Sequence, residues 1–301
     1  SCYDPMKRAL LLLAAVLVAP AFAQPVGDLR YNFAVIGSRA YADDVRLRDT
    51  LTQLDGANLA FVVAQGIKPA NAPCNDTSYL RRREELDASK HGLVISVAAT
   101  DWASCGQADG TTTALARLTR VRELFFPDEF SFGATRIPLV RQSTEAKFQN
   151  FVENARWEIG SVMFATINLP ANNNNFVTAA GRNGEFEDRL IANREWLRRV
   201  FTTATLKNAS AVVLFADANP MAKPGDAPRD GFAETRRHLQ MLASRFKGRV
   251  LIVHAQAEPE APAVIQWRGN LGTLGVARGP VRLRVDPALP EVIMPRNPKV
   301  Q

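Results

Sequence analysis

The sequence predicts an α/β fold, with central, mostly parallel sheets flanked by helices and a set of short antiparallel strands at the carboxyl end. Three observations carry this expectation. Short continuous apolar runs alternate with segments of helical periodicity, the pattern of strands buried on both faces and covered by helices. The composition, 47% hydrophobic and 22% charged, supplies apolar surface for one large core. Beyond residue 262 the chain changes to brief β-prone stretches punctuated by Gly and Pro.

In chain order, residues 31–36 read as the first strand and residues 42–54 as a helix with Leu47, Leu51 and Leu54 on one face. A second strand over 59–64 leads to a helix over 77–89. A third strand over 93–98 leads to a helix over 113–126 that carries Leu115, Leu118, Val121 and Phe125 inward. After an irregular stretch, a fourth strand covers 162–169 and a long helix 185–206. Strands over 211–216 and 250–254 follow, with a helix over 232–246 between them. The tail strands are expected over 263–267, 271–276, 281–285 and 291–293. No internal repeat is visible, and the one low-complexity patch is Asn172-Asn173-Asn174-Asn175.

The amino end reads as an address. Met6, Lys7 and Arg8 open an apolar run over residues 9–19, and Ala21-Phe22-Ala23 supplies an A-x-A cleavage pattern. A signal peptide over 6–23 then leaves a mature chain that begins at Gln24. Residues 1–5 read as a cloning scar or an overlong start, and residues 24–301 as a single domain. The apolar run falls short of the roughly 20 residues that a membrane-spanning helix needs, and no second stretch reaches that length. The expected location is therefore the periplasm or the exterior of the cell, with no membrane attachment after cleavage. In that compartment the two mature cysteines, Cys74 and Cys105, each in a polar loop, are expected to form one disulfide.

The formal charge of +7 drops by one on cleavage, because Lys7 and Arg8 leave together with Asp4. The densest basic cluster, Arg81-Arg82-Arg83, is followed at once by Glu84 and Glu85, which suits a solvated helix face and argues against nucleic-acid binding.

In open α/β sheets, ligands collect at the carboxyl ends of the strands. Those ends read Gly37-Ser38-Arg39, Gln65-Gly66-Ile67-Lys68, Ala99-Thr100-Asp101-Trp102, Asn168 running into the Asn patch, Asp217-Ala218-Asn219-Pro220 and His254-Ala255-Gln256-Ala257-Glu258. Polar residues also cap strands wherever they leave a core, so no one of these ends carries a site by itself. A Ser-His-Asp triad drawn from Ser38, His254 and Asp217 lacks the G-x-S-x-G elbow that exposes such a nucleophile. Residues 269–275 form G-N-L-G-T-L-G, but no helix follows to receive a phosphate.

Alongside the strand ends stand Pro73-Cys74-Asn75-Asp76, Asp101-Trp102-Ala103-Ser104-Cys105, Leu124-Phe125-Phe126, Glu153-Asn154-Ala155-Arg156-Trp157, Phe164-Ala165-Thr166-Ile167-Asn168 and Asn193-Arg194-Glu195-Trp196-Leu197. In order and spacing, over nearly all of the mature chain, these stretches resemble a bacterial exported subgroup of the calcineurin-like metallophosphoesterases. The resemblance implies that family's layered fold and a site where two metal ions polarise a phosphoryl oxygen and acidify a bridging water. Such a site needs a ring of carboxylate, imidazole and amide ligands. At the matching positions this chain has Ser38 for a leading Asp, and Ala40 where a His could stand. Ile67 follows Gly66 in place of the bridging carboxylate, and Thr100 replaces an Asn ligand. Asp217 and Asn219 stand in the strand of a lone His, while His254 is followed by Ala255-Gln256-Ala257-Glu258, with Glu258 in place of a closing His. Asp101 and Trp102 match the pattern and are read as structural.

A ring without the bridging Asp does not hold two cations against their mutual repulsion, so no binuclear site and no cofactor are expected. Two readings of function of different classes follow, besides a structural envelope component with no ligand. The favoured one is a non-catalytic pseudoenzyme whose cleft is lined by Ser38, Arg39, Gln65, Lys68, Thr100, Asn168, Asp217, His254 and Glu258. Its Arg39 and Lys68 suit a small anionic or phosphorylated ligand. The alternative is an active phosphoesterase with one divalent metal on Asp217, His254 and Glu258. No protein partner follows from the sequence.

Overall fold

Two β-sheets packed face to face form the centre of the protein, and helices cover the outer face of each. The computed structural model describes residues 29–37, 43–106, 112–178, 183–223, 229–256, 261–277 and 279–296. The leader, Ser38, Arg39, Ala40 and Glu258 lie outside the described residues.

The first half of the chain alternates strand and helix: β1 (Tyr31–Gly37), α1 (Asp44–Asp55), β2 (Val62–Gln65), α2 (Asp76–Asp87), β3 (Leu93–Ser96) and α3 (Ala114–Phe125). Asp43 caps α1 by accepting from the Arg46 N–H at 2.8 Å, and Asn75 caps α2 by accepting from the Ser78 N–H at 2.9 Å. β1, β2 and β3 pair in parallel, as their uninterrupted apolar sequences require. Leu47, Leu51 and Leu54 of α1 pack on Ala34 and Ile36 of β1. Helix α3 turns Leu118, Val121 and Phe125 inward as expected. Leu115 is 61% exposed, because the buried stripe continues through Leu124 instead.

The stretch expected to be irregular contains two strands. β4 (Val140–Arg141) and β5 (Ala155–Ile159) run antiparallel to each other, and β5 pairs antiparallel with β6 (Val162–Thr166). β4 is two residues long and β5 exposes alternate residues, so neither shows the continuous apolar run of the other central strands. Next come α4 (Gly184–Leu206), β7 (Ala211–Ala216), α5 (Ala233–Arg245) and β8 (Arg249–His254), with β6, β7 and β8 parallel.

The tail forms β9 (Gln266–Arg268), β10 (Leu271–Gly275), β11 (Val281–Val285) and β12 (Ile293–Pro295). As expected, the tail strands pair antiparallel, β9 with β10 and β11 with β12 and β1, and β10 also adds to β8 in parallel. The tail divides between both sheets, giving orders β12-β11-β1-β2-β3 and β4-β5-β6-β7-β8-β10-β9.

Aromatic rings interlock between the sheets. Phe33 stacks on Phe61 at 4.9 Å, and both meet Phe164 edge-on. Trp157 meets Phe61 edge-on at 5.4 Å and stacks on Phe215 at 5.9 Å. Each such pair contributes roughly 0.5–1.5 kcal/mol beyond the area it buries. The mixed α/β architecture expected from the sequence is the one observed.

Cys74 and Cys105 are bonded, with their Cα atoms 5.9 Å apart, and the bridge ties the loop before α2 to the loop after β3. Thiol titration of the denatured, unreduced protein should find neither cysteine free. Cys74→Ser should lower unfolding stability by roughly 3–4 kcal/mol, the chain-entropy value for a loop of this length.

Candidate functional site

The carboxyl ends of the parallel strands in the two sheets meet along one edge, cross-linked by side chains from both. Gln65, at the end of β2, donates from Nε2 to the Ala216 carbonyl at 3.1 Å and to the Val253 carbonyl at 2.8 Å, bridging to the ends of β7 and β8. Ser96, at the end of β3, donates to the Phe215 carbonyl at 3.3 Å. Asp217, just past β7, accepts at Oδ2 from the Ala99 N–H at 2.7 Å and from the Ala171 N–H at 2.8 Å. One carboxylate oxygen therefore holds the loop after β3 against the loop after β6.

The chain leaves β2 through Gly66, whose φ of 94° belongs to the left-handed region that favours glycine. Its N–H reaches the Ser96 carbonyl at 2.7 Å. Next to this turn, Asp101 accepts from the N–H groups of Ala98, Ile67 and Lys68 at 2.7, 2.9 and 3.2 Å. Burial pushes its pKa up to about 6, against those hydrogen bonds. Asp101 is thus a loop organiser, as is Lys68, whose ammonium lies buried on the Ala72 carbonyl at 2.7 Å and the Pro69 carbonyl at 3.4 Å. Burial moves the Lys68 pKa down, with Asp101 opposing.

Behind this edge lies a buried polar network that the sequence reading did not assign. Asn154 donates to Gln142 at 2.8 Å and to Asn193 at 3.0 Å, and accepts from the Asn168 N–H at 2.9 Å. Asn193 donates to the Asn168 carbonyl at 2.9 Å, and Trp196 donates to the Thr166 carbonyl at 3.0 Å. The Asn168 side chain donates to Glu153, which Arg122 grips with two hydrogen bonds of 2.7 and 2.9 Å. Arg189, fully buried, donates to Glu185, to the Asn168 carbonyl and to both oxygens of Asn174, and lies over the Trp102 ring at 5.7 Å. Asn173, Asn174 and Asn175 all have φ between 52° and 56°, a conformation that Asn tolerates better than most residues. The run of asparagines is a turn in which Asn174 supplies two of the acceptors of Arg189.

Seven buried side-chain polar atoms among the described residues have no hydrogen-bond partner, and four belong to candidate site residues: Gln65 Oε1, Thr100 Oγ1, Asn168 Oδ1 and His254 Nδ1. They sit at the ends of β2, β3, β6 and β8. His254 is 5% exposed. Burial holds its pKa down at about 4, and a hydrogen bond with the Gln256 backbone opposes the shift. At neutral pH the ring is therefore uncharged.

The two-metal centre implied by the family resemblance does not fit these residues. Asp217 directs one oxygen to two backbone N–H groups, and Gln65 uses its amide nitrogen to join the sheets. Among the described residues, no three of His, Cys, Asp and Glu gather where a metal could be held. The atoms that lack partners are neutral, and neutral donors do not offset the repulsion of two dications about 4 Å apart.

A solved structure of PhoD aligns with 87% of this chain at a TM-score of 0.53 and 11% sequence identity. The match spans 65% of the PhoD chain. The likeness is one of fold: this chain shares the layered α/β architecture of that structure. No protein family matches the sequence, and no curated protein sequence matches it. Among the described residues, no helix is long and apolar enough to cross a membrane.

The Asp217 geometry sets a test. Asp217→Ala strands two N–H acceptor needs at about 1–3 kcal/mol each, so the expected loss in chemical denaturation is roughly 2–4 kcal/mol. Asp217→Asn keeps an acceptor and should lose less than half of that. Equal stability of all three proteins would refute the loop-joining role.

A second test concerns pH. The buried His254 has a pKa near 4, below the ordinary value of 6.5, so the native state binds fewer protons than the unfolded chain between these values. Its contribution is complete above pH 6.5 and is lost as the pH falls toward 4. Asp101 acts in the opposite sense between 3.8 and about 6. Stability measured from pH 6.5 to 4 should fall less in His254→Asn than in the parent, by up to roughly 3 kcal/mol.

Proposed function

We propose that this chain is an exported, non-catalytic pseudoenzyme of phosphoesterase-like fold that binds a small ligand at the carboxyl edge of its strands. The observation that carries this reading is the set of unpartnered polar atoms on Gln65, Thr100, Asn168 and His254, drawn from the strand ends of both sheets. Buried polar atoms are almost always hydrogen-bonded, so four at one edge favour a ligand over a purely structural role. Three of the four are oxygens, and the amide oxygens of Gln65 and Asn168 accept only. A ligand that donates from hydroxyl groups answers them, and a phosphate on the same molecule is the group that Arg39 suits. Export rests on the leader read over residues 6–23, and the Cys74–Cys105 bond is in keeping with an oxidising compartment.

A second reading has one specific support. His254 Nδ1 is neutral and without a partner, the state in which imidazole ligates a metal, and His254 pairs across the sheet with Ala216, next to Asp217. An active phosphoesterase with one metal on Asp217, His254 and Glu258 would use it.

One experiment separates the two. Protein purified without chelator is analysed for metal, then assayed on phosphomonoesters and diesters with excess manganese, zinc or iron. The expected result is no stoichiometric metal pair and no turnover. Turnover that disappears in His254→Ala would overturn the pseudoenzyme reading and promote the second.

A further inference from the structure

The opposite end of the sheet sandwich carries a separate charged feature. On β11 the residues Val281, Leu283 and Val285 face the aromatic core between the sheets, so the alternate residues Arg282 and Arg284 stand on the outer face. By the same alternation Asn32 of β1 and Met294 of β12 share that face, since Phe33 and Ile293 are in the core. Asn32 lies opposite Arg284, and Arg284 opposite Met294. The helix-covered cluster on this sheet draws on β1, β2 and β3 and includes no residue of β11 or β12.

The open face collects arginines. Arg30, Arg284 and Arg296 line a cleft of about 510 Å³ with Tyr31, Asn32, Met294 and Pro295. Asp286 sits between two of them, 3% exposed, with Oδ1 3.2 Å from Arg30 and Oδ2 2.8 Å from Arg284, and Glu291 lines an adjoining pocket with Arg282 and Arg296. Being buried, Asp286 fixes two guanidinium groups side by side, while their side chains remain 63% and 46% exposed. Arg282 and Arg296 have no ion-pair partner among the described residues, and they are joined through the backbone, Arg296 N–H to the Arg282 carbonyl at 2.8 Å. Like charges placed across neighbouring strands oppose one another, and four guanidinium groups against the carboxylates of Asp286 and Glu291 leave a net positive face.

We propose that this face is a phosphate-binding site in which Arg30, Arg284 and Arg296 take the terminal phosphate or diphosphate of a small molecule or lipid headgroup. Guanidinium forks match phosphate oxygens with paired hydrogen bonds. A terminal phosphate presents three such oxygens to the three forks, where a carboxylate presents two. The site lies at the amino ends of the parallel strands, away from the carboxyl edge discussed above, and does not depend on the function proposed there.

The test uses the full chain with inorganic pyrophosphate, followed by calorimetry and by amide spectra. A parallel arm measures flotation with phosphatidic acid vesicles, whose headgroup is a terminal phosphate, against phosphatidylcholine vesicles as control. Pyrophosphate should bind and shift the amides of Asn32, Arg284 and Met294, and Arg284→Gln with Arg296→Gln should weaken binding at least tenfold. Arg296→Gln alone removes an exposed side chain that holds nothing else, so its effect is read on a folded protein. Stronger binding to the anionic vesicles than to pyrophosphate assigns the phosphate to a lipid; the reverse assigns it to a soluble ligand. Failure of both arms overturns the site. Binding that survives the double substitution but is lost in Arg39→Gln also overturns it, and places the phosphate at the carboxyl edge instead.

Discussion

A guanidinium with no exposure to water is tolerable only when its donors find acceptors, and Arg189 is in that position. Its partners, Glu185, the carbonyls of Asn168 and Asn174 and the Asn174 side chain, come from α4, the end of β6 and the turn that follows. Satisfying Arg189 therefore decides the path of the chain out of β6. The left-handed run Asn173-Asn174-Asn175 is the path that brings those acceptors into reach, and it also ties the loop before α5, through Asn174 to the Gly231 carbonyl at 2.9 Å. Loss of any one partner leaves a buried charge short of an acceptor, a cost of several kcal/mol that the neighbours share.

From that anchor the rest of the carboxyl edge follows. Asn168 is held on its backbone by Arg189, Asn154 and Asn193, which sets the start of the loop whose Ala171 N–H meets Asp217. Asp217 then carries the constraint across to Ala99 in the other sheet, and Gln65 returns it from β2 to β7 and β8. An edge where two sheets meet must be held by something polar, because strand ends expose carbonyls and N–H groups that need partners. Here amides and one carboxylate, bonded mostly to backbone, fill that role. Where metal ions tie strand ends together, side chains stay free to ligate; in this chain Asp217 instead gives one oxygen to two backbone N–H groups from separate loops.

How much of this the sequence shows depends on the range of the interaction. Strands such as β7 and β8 are continuous apolar runs and declare themselves locally, as do α1 and α2 through Asp43 and Asn75 at their caps. β4 and β5 do not, because a short alternating strand beside a loop carries no periodicity long enough to detect. β10 reads as a tail strand, but its parallel pairing with β8 depends on a route around the sheet edge that no local pattern encodes. The site is harder still. The bond from Asp217 to Ala99 spans 118 positions and that from Gln65 to Val253 spans 188. The motif residues Asn154, Asn168 and Asn193 were visible as a resemblance to a family, while their role as one buried network depends on distances the chain order does not contain. The Asn patch, legible as low complexity, was instead a turn in which Asn tolerates three successive left-handed residues.

His254 gathers these threads at one residue. A buried imidazole whose pKa is near 4 is neutral under ordinary conditions, and a neutral ring nitrogen without a partner is what a hydrogen-bond donor or a cation would meet. Which of the two it suits depends on its neighbours. Gln65 is oriented by two carbonyls, so its free oxygen is fixed in place but uncharged. Thr100 and Asn168 likewise offer neutral oxygens, and the carboxylate of Asp217 has an oxygen already shared between two backbone donors. A cation drawn from water needs charge to compensate the hydration it gives up, whereas a hydroxyl or amide donor needs only an acceptor at hydrogen-bond distance. Neutral acceptors, rigidly set and short of donors, meet the second need and not the first, which is the physical ground on which the proposed binding role rests.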